Sequence, residues 1–286
     1  MEVQLIRPQG YCGGVKHAIE IALKAKEENK DKKIYILGML VHNQHVINDL
    51  NNNGIITLLG DEIEEINSLN PGDVLIFTAH GHDAKYDEIA KNKGLIIYDA
   101  TCPVVKNIMK LIKEKTDGNH QVIYIGQRGH KETNAALSIS DKVSLYDTKL
   151  LINYQFITDN SPIVINQTTL NYFEIQNIYN DIKKHFSGAI ILGEICNATR
   201  LRQQAIANIE KDSDLILIVG DVKSSNTNKL FDIAKKMYPN TDSYLVSSID
   251  DVKKINLKDK KKAAISSGAS TPEFIVEEIY NYLSTL

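Results

Sequence analysis

Three cysteines, at positions 12, 102 and 196, divide the 286-residue chain almost into thirds, 90 and 94 residues apart. Nothing else in the sequence constrains the fold as strongly, because further signals recur in phase with them. Each cysteine follows an apolar, β-branched run: "VQLI" before Cys12, "LIIYDAT" before Cys102 and "AIILGEI" before Cys196. Each then precedes an amphipathic helical pattern. Val15, Ala18, Ile19 and Ala22 share a face after the first, Val105, Ile108 and Ile112 after the second, and Ala198, Leu201, Ala205 and Ile209 after the third. A second buried-strand signal follows, "IYILG", "VIYIG" or "LILIVG", ending at Gly38, Gly126 and Gly220, which lie 26, 24 and 24 residues beyond their cysteines. Past each glycine come a polar loop ("MLVHNQH", "QRGHKET", "DVKSSNTN") and a third strand with a polar end ("DVLIFTAHGH", "SPIVINQTT", "KAAISSGAST").

Apolar strands alternating with amphipathic helices imply mostly parallel sheets covered on both faces. The expected architecture is therefore α/β, with three pseudo-equivalent lobes over residues 1–99, 100–193 and 194–286, holding Cys12, Cys102 and Cys196 respectively. Ligands of such sheets bind beyond the carboxyl ends of the strands. Three lobes packed around an axis would turn all their polar strand ends toward one region.

Composition narrows the function classes. At 43% apolar and 24% charged residues, the chain reads as an ordinary soluble globular protein. A net charge of −3 without a basic stripe argues against nucleic acid as a partner. The start "MEVQLIRPQG" lacks a secretory pattern, and no apolar run is long enough to span a membrane. An odd cysteine count does not suit a disulfide scaffold, so a reduced, cytoplasmic setting is expected.

A cysteine at a helix start lies at the positive end of the helix dipole, which favours the thiolate that binds metal. Three such residues, one per lobe, could meet on one metal centre. Three thiolates complete a structural zinc site only if a histidine joins them, whereas on a [4Fe–4S] cluster they leave one iron open to substrate. Burial as small apolar side chains is the bland alternative. His42, His80 and His130 fall in loops after strands. Ser224–Asn226 precede a helical run and Ser266–Thr271 repeat that hydroxyl chemistry, so both stretches suit an anionic, phosphate-bearing ligand as well as simple capping. Glu132, two residues past His130, suits a proton donor if its surroundings raise its pKa. No nucleotide-binding glycine motif is present.

"GYCGGV", "LVHN", "FTAHG", "DATCP", "GHKE", "NQTTL", "EICNAT", "SSNTN" and "SGAST" occur in the order found in the LytB/IspH family of 4-hydroxy-3-methylbut-2-enyl diphosphate reductases, which the chain resembles from about residue 8 to 275. The resemblance implies three α/β lobes around a central iron–sulfur cluster. It also implies reductive dehydroxylation of (E)-4-hydroxy-3-methylbut-2-enyl diphosphate to isopentenyl and dimethylallyl diphosphates, the last step of the methylerythritol phosphate route to isoprenoids. On this likeness Cys12, Cys102 and Cys196 hold one [4Fe–4S] cluster with one open iron, which acts as a Lewis acid on the substrate oxygen. His42, His80, His130, Ser224, Ser225, Asn226 and Ser270 resemble the diphosphate binders, Glu132 the proton-relay acid and Thr168 the residue beside the substrate hydroxyl. A small ferredoxin or flavodoxin is the implied electron donor. One departure is Lys131, where family members usually carry a small residue or proline; the "TNA" that follows Glu132 is also less apolar than usual. Two other readings remain open at this point: an iron–sulfur sensor or carrier without catalysis, and a zinc hydrolase.

Overall fold

A computed structural model describes residues 1–150, 154 and 157–286. Twelve strands and eleven helices are found among them, and the strands form three four-stranded sheets in which every pairing is parallel. The first sheet has the order β3-β2-β4-β5, from β2 (Ile34–Leu37), β3 (Ile55–Leu58), β4 (Val74–Phe77) and β5 (Ile96–Asp99). The second runs β7-β6-β8-β9, from β6 (Val122–Gly126), β7 (Val143–Asp147), β8 (Ile163–Asn166) and β9 (Ile190–Ile191). The third runs β11-β10-β12-β1, from β1 (Glu2–Leu5), β10 (Leu215–Val219), β11 (Asp242–Val246) and β12 (Lys262–Ser267).

One internal order is thus written three times, with a cyclic twist. The strand before Cys102 closes the first sheet and the strand before Cys196 closes the second. The strand before Cys12 has no earlier lobe to close, and it pairs with β12 from Glu2↔Lys262 to Leu5↔Ile265. The expected 1–99 lobe therefore gives up its first strand to the sheet of the last. Contacts gather the chain into two compact units. One comprises Met1–Val15, His42–Asn48 and Cys196–Leu286 and carries the third sheet; the other comprises Lys16–Val41 and Asp49–Ile195 and carries the first two.

Why these strands form is plain from burial. All of β4, β6, β8 and β10 is buried, as continuous apolar runs at the centre of parallel sheets must be. The edge strands β3, β7 and β11 are half exposed, which leaves them only a weak apolar signal. Helix α1 (Gly13–Glu28) turns Val15, Ala18 and Ala22 inward, and α5 (Pro103–Asp117) turns Val105 and Ile112 inward, as their sequence patterns indicate. Helix α8 (Asn197–Ala207) follows its pattern only in part: Ile209, just past its end, is buried and Ala205 packs against the same core. Leu201 is 43% exposed, while Thr199, Arg202, Gln203 and Ile206 are buried.

The recurring glycines allow close helix–sheet approach in two lobes. A Cβ on Gly126 would lie 2.4 Å from Thr133 Oγ1 and 3.0 Å from Tyr124 Cε1. A Cβ on Gly220 would meet Thr227 Oγ1 at 2.7 Å; both threonines lie seven residues after their glycine. Gly126→Ala is accordingly expected to destabilise the fold by roughly 1–3 kcal/mol through overpacking. Urea denaturation should show a lower midpoint at unchanged slope, and a second change, Thr133→Ala, should recover part of the loss.

Candidate functional site

None of the three cysteines is in a disulfide, and all three are half buried. Cys102 and Cys196 N-cap α5 and α8 with nearly the same backbone, φ −52° and ψ 133° against φ −50° and ψ 133°, and neither sulfur makes a capping hydrogen bond. Cys12 directly precedes α1. All three cysteines thus stand at helix starts. Two of these corners are stitched to a neighbouring strand end in one manner. Cys102 N donates to Ala79 O, and Cys12 N donates to Ala269 O, each at 3.0 Å. The residue after each of those alanines is a sequence-predicted binder, His80 in one case and Ser270 in the other. Three cysteine sulfurs at helix starts fit an iron–sulfur or zinc ligand set by chemistry. Among the described residues, no group of three His, Cys, Asp or Glu side chains is already gathered to hold a metal ion.

The unit built on the first two sheets carries Cys102, His80, His130, Glu132 and Thr168. Helix α6 (Lys131–Leu137) starts on His130, whose Nδ1 accepts from the Glu132 backbone N–H at 3.2 Å. The His80 and His130 rings stand edge to face, 6.0 Å between centroids. Glu132 is only 2% exposed, yet three donors surround its carboxyl group. Oε1 accepts from Thr168 N at 2.8 Å and from the Tyr124 hydroxyl at 3.1 Å, while Oε2 accepts from Thr168 Oγ1 at 2.8 Å. Burial wins over these donors and raises the Glu132 pKa from 4.5 to about 7. Burial, reinforced by the Glu132 carboxylate, in turn holds the Tyr124 phenol well above its ordinary value. Such an acid is substantially protonated at neutral pH, as a proton donor must be.

Lys131, the departure from the family pattern, occupies the first position of α6, where proline is favoured. Its ammonium pairs with Glu62, in α3 (Glu62–Ser68). This pair lines a cavity of about 410 Å³ together with His82 and Lys85, and none of the sequence-predicted site residues lines that cavity.

The other unit carries Cys12, Cys196, His42, Ser224, Ser225, Asn226 and Ser270. Helix α9 (Ser225–Met237) starts earlier than its apolar run indicates, so Ser225 and Asn226 lie in its first turn. Ser224 caps it, its Oγ accepting from Thr227 N at 3.3 Å. Asn226 is 5% exposed, and both amide atoms lack a hydrogen-bond partner. A buried, unsatisfied amide costs about 1–3 kcal/mol, so this one calls for an explanation. Ser270 Oγ donates to the His42 carbonyl at 3.0 Å, which joins those two sequence-predicted residues.

Sequence reasoning missed Tyr124, Gln167 and Arg202. Gln167 Oε1 accepts from Thr133 Oγ1 at 3.2 Å and from Gln127 N at 3.0 Å, fixing the strand end beside Thr168. The signal for Tyr124 was its hydroxyl in the otherwise aliphatic "VIYIG", which must find a partner when buried.

Known proteins bear on this arrangement in three ways. A family model described as LytB protein matches residues 3–284. Among curated relatives, the 4-hydroxy-3-methylbut-2-enyl diphosphate reductase of Macrococcus caseolyticus is 40% identical over 99% of this chain and 89% of its own length. The protein of that name from Symbiobacterium thermophilum is 37% identical over 99% and 97%. Among solved structures, the E-1-hydroxy-2-methyl-but-2-enyl-4-diphosphate reductase of Plasmodium falciparum superposes with a TM-score of 0.87 at 30% identity, covering 99% of this chain and 88% of its own. A second, described as (E)-4-hydroxy-3-methyl-but-2-enyl diphosphate reductase, the terminal enzyme of the non-mevalonate pathway, gives 0.71 at 27% identity, with both chains covered fully. With a family model and relatives matched along nearly its whole length, this chain belongs to the LytB protein family.

Proposed function

We propose that the chain is an iron–sulfur reductase that removes the allylic hydroxyl of (E)-4-hydroxy-3-methylbut-2-enyl diphosphate, giving isopentenyl and dimethylallyl diphosphates. The observation that carries the reading is Glu132, a carboxyl group buried among Thr168 and Tyr124 and pushed up to about 7. A sensor or carrier has no use for a protonatable acid held at that cost. When bound, a [4Fe–4S] cluster on Cys12, Cys102 and Cys196 supplies electrons one at a time and Lewis acidity at the iron that lacks a protein ligand.

The chain's own residues do the rest. The reaction consumes two electrons and two protons: the allylic C–O bond breaks, oxygen leaves as water, and a proton is added to carbon. Glu132 delivers a proton to the departing oxygen, and Thr168, bonded to both carboxyl oxygens, holds the acid in place. The diphosphate takes the orphaned Asn226 amide, the hydroxyls of Ser224, Ser225 and Ser270, and His42, His80 and His130. These donors orient the chain of the substrate with little added positive charge. Electrons come from a small ferredoxin or flavodoxin. Cysteines outside any disulfide suit a reducing compartment, which we take to be the cytoplasm. Among the described residues no helix is long and apolar enough to cross a membrane.

The direct test is turnover of the hydroxylated allylic diphosphate by anaerobically loaded protein with a chemical reductant. Glu132→Gln should retain substrate binding and lose turnover by about two orders of magnitude or more, the usual worth of a general acid. Near-normal turnover in that variant would remove Glu132 from the chemistry. Cys102→Ser should lose both the absorbance of the loaded protein and its activity, and an intact cluster there would contradict the ligand assignment.

Glu132 also ties stability to pH. Its folded pKa lies above its unfolded one, so no penalty exists below about pH 4.5 and stability is lost as pH rises toward 7. The full loss is on the order of 3 kcal/mol. Glu132→Gln, which never ionises, should therefore melt at a higher temperature than the parent at pH 8 and at a similar one at pH 4.5. Equal melting differences at both values would show that Glu132 titrates normally.

A further inference from the structure

Helix α8 buries the wrong residues for an apolar stripe. Leu201 is exposed, and beside it Arg202 is only 3% exposed. Withdrawing a guanidinium from water is costly unless its donors are satisfied. Arg202 satisfies only part of its set. Its Nη1 donates to Ala198 O at 3.1 Å and its Nη2 to Gly10 O at 2.7 Å, while its Nε is buried with no partner. The two carbonyls have a common context. Gly10 lies two residues before Cys12, and Ala198 two residues after Cys196. One planar fork therefore ties together the two backbone segments that carry this unit's cysteines. The Gly10 N–H is held from another side, donating to Ser267 Oγ at 3.4 Å. Burial lowers the pKa of Arg202, and the charges of Cys12 and then Cys196 act against that shift.

We infer that Arg202 is a positioning residue for the Cys12–Cys196 pair: its fork fixes the spacing of the two corners, and its buried charge favours the more negative, reduced state of the cluster they hold. The inference rests on the cluster reading given above. It accounts for what packing does not, namely why a charged side chain rather than neighbouring Leu201 faces inward. A lysine would retain the charge but not the planar two-point grip.

The test compares the parent chain with Arg202→Met, Arg202→Lys and, as a remote control in the other unit, the exposed Arg128→Met. Each is loaded anaerobically with iron and sulfide. Iron per chain, the rate of iron loss to a chelator and the midpoint potential are then measured, with circular dichroism of the unloaded chains monitoring the fold. Arg202→Met should bind less than half the parent's iron, and the cluster that remains should have a more negative potential. Arg202→Lys should keep a near-parental potential yet lose iron several-fold faster, and it remains informative if the methionine variant is too unstable to load. Arg128→Met should match the parent. Parental iron retention and potential in both Arg202 variants would overturn the inference and leave the cluster reading standing. A parent chain that takes up no iron would overturn both.

Discussion

The arrangement depends first on a backbone hydrogen bond. The cysteine N–H at a helix start donates to the alanine carbonyl just past a strand end, Cys12 to Ala269 and Cys102 to Ala79. That bond satisfies an amide which the new helix leaves unpaired. It also sets each thiol beside a loop that carries a residue proposed to bind the diphosphate, Ser270 or His80. Because the bond is between main-chain atoms, the corner can recur wherever strand, cysteine and helix follow in that order. The cyclic pairing of β1 with β12 places Cys12 at the end of the sheet whose β12 leads to Ala269.

Around these corners the protein keeps polar groups buried and unfinished. Glu132 is desolvated until it holds a proton near neutrality, Asn226 has an amide with no partner, and Arg202 has an unbonded Nε. Each opposes folding by an amount comparable to the loss of a hydrogen bond or more. The fully buried, largely apolar strands β4, β6, β8 and β10 offset that cost. Stability is thus concentrated in the sheets, and unsatisfied chemistry at their carboxyl ends.

Much of this was legible in the sequence because it repeats. The cysteine and glycine spacings pointed to a threefold repeat, found as three parallel sheets of one internal order, and the central strands are runs that cannot be exposed. Edge strands β3, β7 and β11 were not legible, since half-exposed strands mix apolar and polar residues without a strong period. The lobe boundaries missed the transfer of β1, because pairing between residues some 260 positions apart leaves no local trace. The inward face of α8 was read only in part: Ile209 is buried and Ala205 packs against the same core, but Leu201 is exposed and Arg202 lies inward in its stead. Of the acid's surroundings, the resemblance supplied Glu132 and Thr168, but Tyr124 became visible only with coordinates. The grip of Lys131 on Glu62 likewise joins helices far apart in the chain.

The central claim is that three cysteines hold a cluster with one iron left for substrate. It is tested most directly by the electron paramagnetic resonance spectrum of the anaerobically loaded, reduced chain, recorded with and without the hydroxylated allylic diphosphate. A paramagnetic iron–sulfur signal that changes shape on adding the diphosphate is expected, because the ligand reaches the cluster itself. A signal indifferent to the diphosphate, or a colourless protein holding stoichiometric zinc, would contradict it.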